Sequence, residues 1–381
     1  MKLATQIFKL MVIFQPMLLF AIVFNITILI RLISWFILIG SFIQFLSVLR
    51  YRKTFHEFNL ILAVVIILIA FLSLFLGGLS YDGFIEYLKF VSMILIWIIY
   101  PYVNINKLKN ICKISFLIQA LLLVFFSQQQ FAYEYIDDGV VRVSESLTLG
   151  FNNPNLTSMI VFYVLVAILS FNMDNNSFIT KAFYAILLMF LYYLIVKTDC
   201  RTTMFMSVLL TASFFLINKT QFIAKLVSRK IITLLTLALP LLYCVLYVYL
   251  SNLPELRNVE FMGKPIFSGR QYLYVDLFST LSENPIVGLC GKYKFANAHN
   301  GMLTILLNTG FLGLLFYLVY NYKNLRTISK GISRPNEVFY FIAIIAIFVN
   351  SCNEAAILVS ANLFYVYFMC LLVMAGRDSI R

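Results

Sequence analysis

The amino-acid sequence predicts an all-α, polytopic membrane protein with about twelve transmembrane helices, arranged as a single domain over residues 1–381. Hydrophobic residues make up 62% of the chain and charged residues only 12%. A soluble domain is nearer half apolar and a quarter charged. Apolar segments close to the roughly 20 residues that cross a bilayer recur along the whole chain. These observations exclude a soluble domain with a single anchor.

Twelve apolar segments define the predicted spans. They are 10–30, 32–49, 58–77, 84–103, 111–127, 155–171, 182–196, 202–217, 231–250, 299–320, 337–350 and 355–375. The shortest of them need flanking polar residues to reach the headgroups. No small-residue cleavage site ends the first segment, so the sequence predicts a retained helix there and not a signal peptide.

Positive charge is divided unevenly between the predicted loops. Loops on the side of the N-terminus hold 19 of the 29 Lys and Arg residues, and the opposite loops hold nine. Because cytoplasmic loops are enriched in Lys and Arg, both termini are predicted to lie in the cytoplasm, with the protein in the cell membrane. The net charge of +13 then reflects orientation in the lipid bilayer and does not indicate a nucleic-acid partner.

Two predicted outer loops, 128–154 and 251–298, are long enough to carry function. Within the second, residues 272–281 read as a short amphipathic helix that could lie on the membrane surface. The six cysteines are scattered, without a CxxC pair or zinc-site spacing. The sequence therefore predicts neither a metal nor another cofactor.

Polar residues concentrate in three outer segments of this apolar chain: 150–158, 197–203 and 268–302. Each has a structural and a functional interpretation. Arg201 could extend toward lipid headgroups or bind a ligand. His299 could cap a helix or take part in chemistry, and the second reading gains from the cations in the same loop.

On the predicted topology, the helices that begin near Asn155, Thr202 and Asn300 all start on the outer side. Helix N-termini carry unpaired N–H groups and partial positive charge. If the three starts cluster, they form an anion site that Arg201 and Arg270 would strengthen. The anion expected at a membrane boundary is the phosphate or pyrophosphate of a lipid.

The order of several motifs resembles the O-antigen ligase/polymerase superfamily, and most closely its Wzy-type polysaccharide polymerases. The motifs are the GFNNPN segment at 150–155, the Arg-Thr helix start at 201–202, Gly269-Arg270, and the PIVG segment at 285–288. They end with AHNGMLTILLNTGFLG at 298–313. The resemblance covers roughly residues 148–320; the first five helices carry no recognisable motif.

The resemblance implies a metal-independent glycosyltransferase that polymerises undecaprenyl-diphosphate-linked repeat units into capsular, exo- or O-antigen polysaccharide. Arg201 and Arg270 would bear the charge of the leaving diphosphate. His299 would be the base or an orienting group, with three alternative carboxylate bases, Glu354, Asp276 and Glu283. Substrate binding is assigned to Asn155, Asn300, Lys292, Lys294 and Tyr274. Such an enzyme would work with a flippase and a chain-length regulator.

Two other functions remain open. An O-antigen ligase or O-oligosaccharyltransferase of the same superfamily would use the same donor with a different acceptor. A flippase or other transporter would place ionisable residues in mid-membrane. Only Glu86 and Lys89 approach such a position, and their spacing of three residues predicts that they pair with each other.

Overall fold

The computed structural model describes most of the chain. The described residues are 2–50, 57–104, 108–127, 133–137, 140–144, 146–151, 153–173, 177–216, 226, 229–257, 259–261, 264–267, 270–288, 298–332, 334–354 and 363–375. Lys292 and Lys294 lie outside these residues, as do residues 355–362 of the last predicted span.

The described residues form thirteen labelled helices. They are α1 Lys2–Val23, α2 Thr27–Leu49, α3 Glu57–Leu76, α4 Tyr81–Ile99, α5 Lys109–Phe126, α6 Pro154–Met173, α7 Phe178–Lys197, α8 Arg201–Leu216, α9 Lys230–Ser251, α10 Arg270–Leu281, α11 Gly301–Gly331, α12 Pro335–Asn350 and α13 Leu363–Ala375. The described residues also include a 3-10 turn at Tyr100–Tyr102 and a one-turn helix at Pro254–Arg257. Two short antiparallel pairs are present as well, β1 Tyr133–Asp137 with β2 Val140–Ser144, and β3 Glu260–Phe261 with β4 Lys264–Pro265.

Within this part of the chain, eight helices are long and apolar enough to cross a membrane: α1 to α5, α7, α9 and α11. Four shorter apolar stretches of 10–17 residues lie in α6 (Pro154–Ser170), α8, α12 and α13 (Phe364–Ala375). The protein is therefore all-helical in its main architecture and membrane-embedded. Helix α10 confirms the helix predicted over 272–281 and begins two residues earlier.

The first two predicted spans were wrong in their boundaries. Helix α1 ends at Val23, and the chain turns through Asn25, whose φ of 53° lies in the left-handed region that Asn tolerates. Helix α2 starts at Thr27, so Arg31 lies inside it and not in a loop. Hydropathy missed this turn because apolar residues continue through it; Phe24 and Ile26 flank Asn25.

The predicted span 299–320 was also too short. Helix α11 continues to Gly331 and is interrupted at Gly310, which has the non-helical angles φ 65° and ψ −173°. The two parts of α11 therefore differ in direction. Lys323 and Lys330, assigned to a loop from the sequence, belong to its second part.

Two helices form the centre of the bundle. Every residue of α6 from 157 to 170 is buried, and so is nearly every residue of α13 from 364 to 375. A helix that is apolar on all sides is stable only when other helices surround it or lipid does. Helix α7 shows the opposite case, since most of its large side chains are exposed and suited to lipid contact.

Buried amides join the central helix α13 to its neighbours. Tyr365 donates to Gln44 Oε1 at 3.0 Å, and Gln44 Nε2 donates to the Ala4 carbonyl at 2.9 Å. The Tyr367 hydroxyl bonds Gln119 in the same way. Polar groups in an apolar interior need such partners, so these bonds fix α13 against α1, α2 and α5.

The ion pair predicted on α4 is confirmed. Lys89 Nζ lies 2.5 Å from Glu86 Oε1, and both side chains are partly exposed. Glu86 and Lys89 are the two residues that the sequence offered for a mid-membrane transport site, and here they bind each other.

Candidate functional site

Three helix starts and one helix end meet in a single polar cluster of the bundle. The Ser158 and Thr203 hydroxyls lie 2.9 Å apart and join α6 to α8. Asn350 Nδ2 donates to Thr203 Oγ1 at 3.3 Å and joins α8 to α12. The Gly301 amide donates to the Ser351 carbonyl at 2.8 Å, which brings the start of α11 to the same place. We call this cluster the polar junction; it comprises residues 153–158, 199–203, 270, 298–301 and 350–354.

Local sequence explains why the helices begin here. Asn153 accepts a hydrogen bond from the Asn155 amide at 2.9 Å, and Asn300 accepts one from the Leu303 amide at 2.9 Å. Both are N-cap bonds. Asp199 and His299 lie two residues before α8 and α11 with φ of 53° and 49°. Such left-handed residues allow an abrupt change of direction, so two helices start from the same kind of turn.

Asn300 carries much of the local packing. Its side chain is fully buried, and Nδ2 donates to the carbonyls of Pro240 at 2.8 Å and Cys352 at 3.1 Å. Pro240 lies eleven residues before Ser251, the end of α9. A helix rises about 1.5 Å per residue, so Pro240 lies about 16 Å from the Ser251 end of α9. The start of α11 is next to α9 at this depth. The polar junction therefore lies within the bundle and not at its rim.

Arg270 reaches the junction from α10. Its Nη1 donates to Asn353 Oδ1 at 2.9 Å and to the Asn353 carbonyl at 3.2 Å. Asn353 Nδ2 in turn donates to Thr202 Oγ1, in the first turn of α8. A chain of two hydrogen bonds thus links Arg270 to the residue beside Arg201, and the structure brings the two arginine positions into one site.

Phenol rings line the approach of Arg270. Tyr274 is fully buried and packs edge-to-face on Tyr247 of α9, with ring centroids 5.8 Å apart. Burial lowers the pKa of the Arg270 guanidinium, but the oxygens of Tyr274, Tyr243, Tyr247 and Glu354 raise this pKa by more, and the net direction is upward. Burial raises the pKa of the Tyr274 phenol, which stays neutral. Tyr274 therefore supports Arg270 from within the protein.

His299 and Glu354 face each other across the junction. His299 Nδ1 lies 4.0 Å from Glu354 Oε2; the histidine side chain is 44% exposed and the glutamate side chain 3%. The histidine can therefore meet a ligand in the junction, whereas the carboxylate lies behind it. Burial also raises the pKa of the neighbouring Cys352 thiol to about 12, so this cysteine is no nucleophile at neutral pH.

Asp276 and Glu283 are placed differently from Glu354. Both are exposed. Asp276 follows the buried Tyr274 by two residues on α10, and at 3.6 residues per turn this puts it on nearly the opposite side of the helix. Glu283 lies beyond the end of α10, in the turn that follows. The structure therefore separates these two carboxylates from the face that carries Arg270.

The turn at 284–288 is inserted into the break of α11. The amides of Phe311 and Leu312 donate to the carbonyls of Pro285 at 2.8 Å and Ile286 at 3.3 Å. A Cβ at Gly310 would lie 2.1 Å from the Ile286 carbonyl oxygen. Only glycine fits this contact, which fastens the segment after α10 to the helix that His299 precedes.

The sequence interpretation missed Asn350 and Asn353, which join α8, α10 and α12 at the centre of the junction. A signal was present: the run NSCNE at 350–354 is polar and stands between two apolar segments. Among the described residues, no group of three or more His, Cys, Asp and Glu side chains could hold a metal ion.

The fold and the junction define the class of this chain: a polytopic, mainly helical membrane protein with a polar site recessed within its bundle. No protein-family model matches the sequence. No curated protein matches it at a significant level. The resemblance to polysaccharide polymerases is therefore a prediction from the motifs alone.

Proposed function

We propose that this protein is a membrane glycosyltransferase that polymerises undecaprenyl-diphosphate-linked oligosaccharide repeat units. The observation that carries the proposal is the convergence of three helix N-termini with Arg201 and Arg270 in a recessed site. Helix N-termini and arginines both favour phosphate groups. A lipid diphosphate can reach such a site while its hydrocarbon tail stays in the bilayer.

The proposal includes the orientation of the chain. The twelve apolar helices each cross the cytoplasmic membrane, and both termini lie in the cytoplasm. Loops on the terminal side hold most of the Lys and Arg residues, as cytoplasmic loops do. The polar junction then faces outward, where undecaprenyl-linked repeat units arrive after transfer by a flippase and where a chain-length regulator could act.

Arg201 and Arg270 bind the donor diphosphate and stabilise the charge that grows on it as it leaves. Fixed donors in a site that excludes water act on such charge more strongly than donors in water. The starts of α8 and α6, next to Arg201 and Asn155, add partial positive charge to the same volume. Lys292 and Lys294 of the loop before α11 are proposed to bind the same substrate.

His299 is the proposed proton acceptor. Its side chain is partly exposed, while Glu354 is buried and faces Nδ1. Because Nδ1 faces Glu354, Nε2 is the nitrogen that we propose to take the proton of the acceptor hydroxyl. Glu354 then orients the ring. Asp276 lies on the exposed side of α10, so we do not assign it the role of base.

The transfer balances without an added cofactor. The oxygen of an acceptor sugar hydroxyl bonds to the anomeric carbon of the donor sugar as the bond from that carbon to the diphosphate oxygen breaks. The electron pair leaves with undecaprenyl diphosphate, and the hydroxyl proton passes to His299 Nε2. The products are the longer lipid-linked glycan and undecaprenyl diphosphate, with the proton later released to solvent.

Complementation of a deletion strain tests the proposal. Arg201→Ala, Arg270→Ala and His299→Ala should each abolish chain growth while membrane abundance stays at the wild-type level. Lys197→Ala is a matched control, because Lys197 is an exposed cation at the end of α7, four residues before Arg201. This control should make polymer of normal length.

The glycan pattern of the deletion strain identifies the step. Single repeat units on the cell surface or lipid carrier support a polymerase. Long chains that accumulate on the lipid carrier would instead assign a ligase, and units retained on the cytoplasmic side would assign a flippase. Polymer of normal length in any of the three alanine variants would remove that residue from the mechanism.

A further inference from the structure

We infer that Asn353 is a positioning residue, which fixes Arg270 so that its Nε–Nη2 edge faces the donor diphosphate. The inference rests on the proposed function and deepens it, because it says which atoms of Arg270 meet the phosphate. It starts from two contacts that use the same nitrogen. Arg270 Nη1 donates both to Asn353 Oδ1, at 2.9 Å, and to the Asn353 carbonyl, at 3.2 Å.

The planar geometry of the guanidinium then decides which of its edges can bind a phosphate. Arginine has five N–H donors in one plane, two on each Nη and one on Nε. Among the described residues, the structure gives Arg270 no hydrogen bond besides the two from Nη1. The Nε–Nη2 edge keeps two parallel N–H groups, which match two oxygens of a phosphate. Since Nη1 is held by Asn353, this edge is the one available for bidentate binding.

Asn353 also contacts α8, the helix that carries the second arginine. Its Nδ2 donates to Thr202 Oγ1 in the first turn of α8, directly after Arg201. Its backbone is held as well, since the Asn353 amide donates to the Asn350 carbonyl at 3.0 Å. One amide side chain therefore joins α10 to α8, so it sets the spacing between Arg270 and Arg201. Two phosphates of a diphosphate require such a fixed spacing, and a single phosphate does not.

The aromatic contacts limit the freedom of Arg270 on its other side. Tyr274 follows Arg270 by one helical turn and is buried against Tyr247. The α10 backbone therefore cannot shift easily, and the direction of the Arg270 side chain depends on what holds its tip. That contact is Asn353, in the turn after α12.

Lipid binding by the purified full-length chain tests the inference. The probes are undecaprenyl diphosphate, undecaprenyl monophosphate and undecaprenol, titrated in detergent at fixed ionic strength. Asn353→Ala should weaken diphosphate binding by about tenfold or more, and monophosphate binding by clearly less, because the spacing of the two arginines is lost. A residue with a merely structural role would lower binding of both phosphates in parallel.

Two further variants test whether Asn353 affects lipid binding through Arg270. In an Arg270→Ala background, adding Asn353→Ala should change diphosphate affinity no further, because the group that Asn353 positions is already absent. Asn321→Ala is the matched control. Asn321 also accepts from one side chain, Trp97 Nε1 at 2.9 Å, and donates to one carbonyl, but it lies far along α11 from the junction. It should leave the affinities for all three lipids unchanged.

The outcomes separate the inference from the proposed function. If the wild-type chain binds undecaprenyl diphosphate no better than undecaprenol, the proposed function fails. If wild type binds it, Arg270→Ala loses it and Asn353→Ala keeps it, only the inference is overturned. Equal losses for monophosphate and diphosphate in Asn353→Ala, or additive losses in the double variant, would likewise overturn it.

Discussion

Replacing Gly310 by alanine should release the 284–288 turn from helix α11. Gly310 has φ 65° and ψ −173°, a combination that is open almost only to glycine. An added Cβ would lie 2.1 Å from the Ile286 carbonyl oxygen and 2.5 Å from the Val287 amide nitrogen. Both atoms belong to the backbone, so no side-chain rotation can relieve the overlap.

The magnitude follows from these contacts. The backbone strain is about 1–3 kcal/mol. The two hydrogen bonds from the Phe311 and Leu312 amides contribute about 0.5–1.5 kcal/mol each. Strain of about 2 kcal/mol and the loss of about one of the two bonds destabilise the docked turn by about 3 kcal/mol. At about 1.4 kcal/mol per factor of ten, the open form becomes roughly a hundred times more populated.

Hydrogen–deuterium exchange of the amides of Phe311 and Leu312 measures this opening directly. Gly78→Ala is the control, because Gly78 also has a left-handed φ, 89°, but nothing lies within 4 Å of an added Cβ. The Gly78 variant should leave exchange at 311 and 312 unchanged. Wild-type exchange rates at these amides in Gly310→Ala would refute the described docking of the turn.

Three further variants probe other contacts. Asn300→Ala removes an N-cap bond worth about 1 kcal/mol and the bonds to the Pro240 and Cys352 carbonyls. The melting temperature of the protein should fall, and an unchanged melting temperature would contradict the packing role of Asn300. Arg270→Lys keeps the charge but loses the planar fork, so undecaprenyl diphosphate affinity should fall by about tenfold or more; full retention would exclude bidentate contact. Glu86→Gln breaks a partly exposed ion pair worth at most about 1 kcal/mol, and a loss of chain growth would point to a transport-like role for this pair.

Local chemistry made the helix starts of the junction predictable. Asn153 and Asn300 are good N-cap residues, Pro154 suits the first helical position, and apolar runs follow each of them. The general position of the helices was predictable as well, because an apolar run of about 20 residues by itself indicates a membrane-spanning helix. Boundaries failed where apolar residues continue through a turn, as they do around Asn25.

Contacts between distant segments were not predictable from the sequence. The bonds from Arg270 to Asn353 and from Asn353 to Thr202 join residues separated by 83 and 151 positions. The break at Gly310 depends on a turn that comes from another part of the chain. A glycine or asparagine in an apolar run does not show which distant segment it will contact. The contact forms only when the helices pack, and only then is that residue type required.

The central claim is that the polar junction binds a lipid diphosphate between its two arginines. The most direct measurement is a cryo-electron microscopy structure of the full chain in lipid nanodiscs with undecaprenyl diphosphate. The account predicts diphosphate density within hydrogen-bond distance of Arg201 and of the Nε–Nη2 edge of Arg270, and no such density in the Arg201→Ala, Arg270→Ala double variant. Diphosphate density elsewhere on the protein, or unchanged density in the double variant, would contradict it.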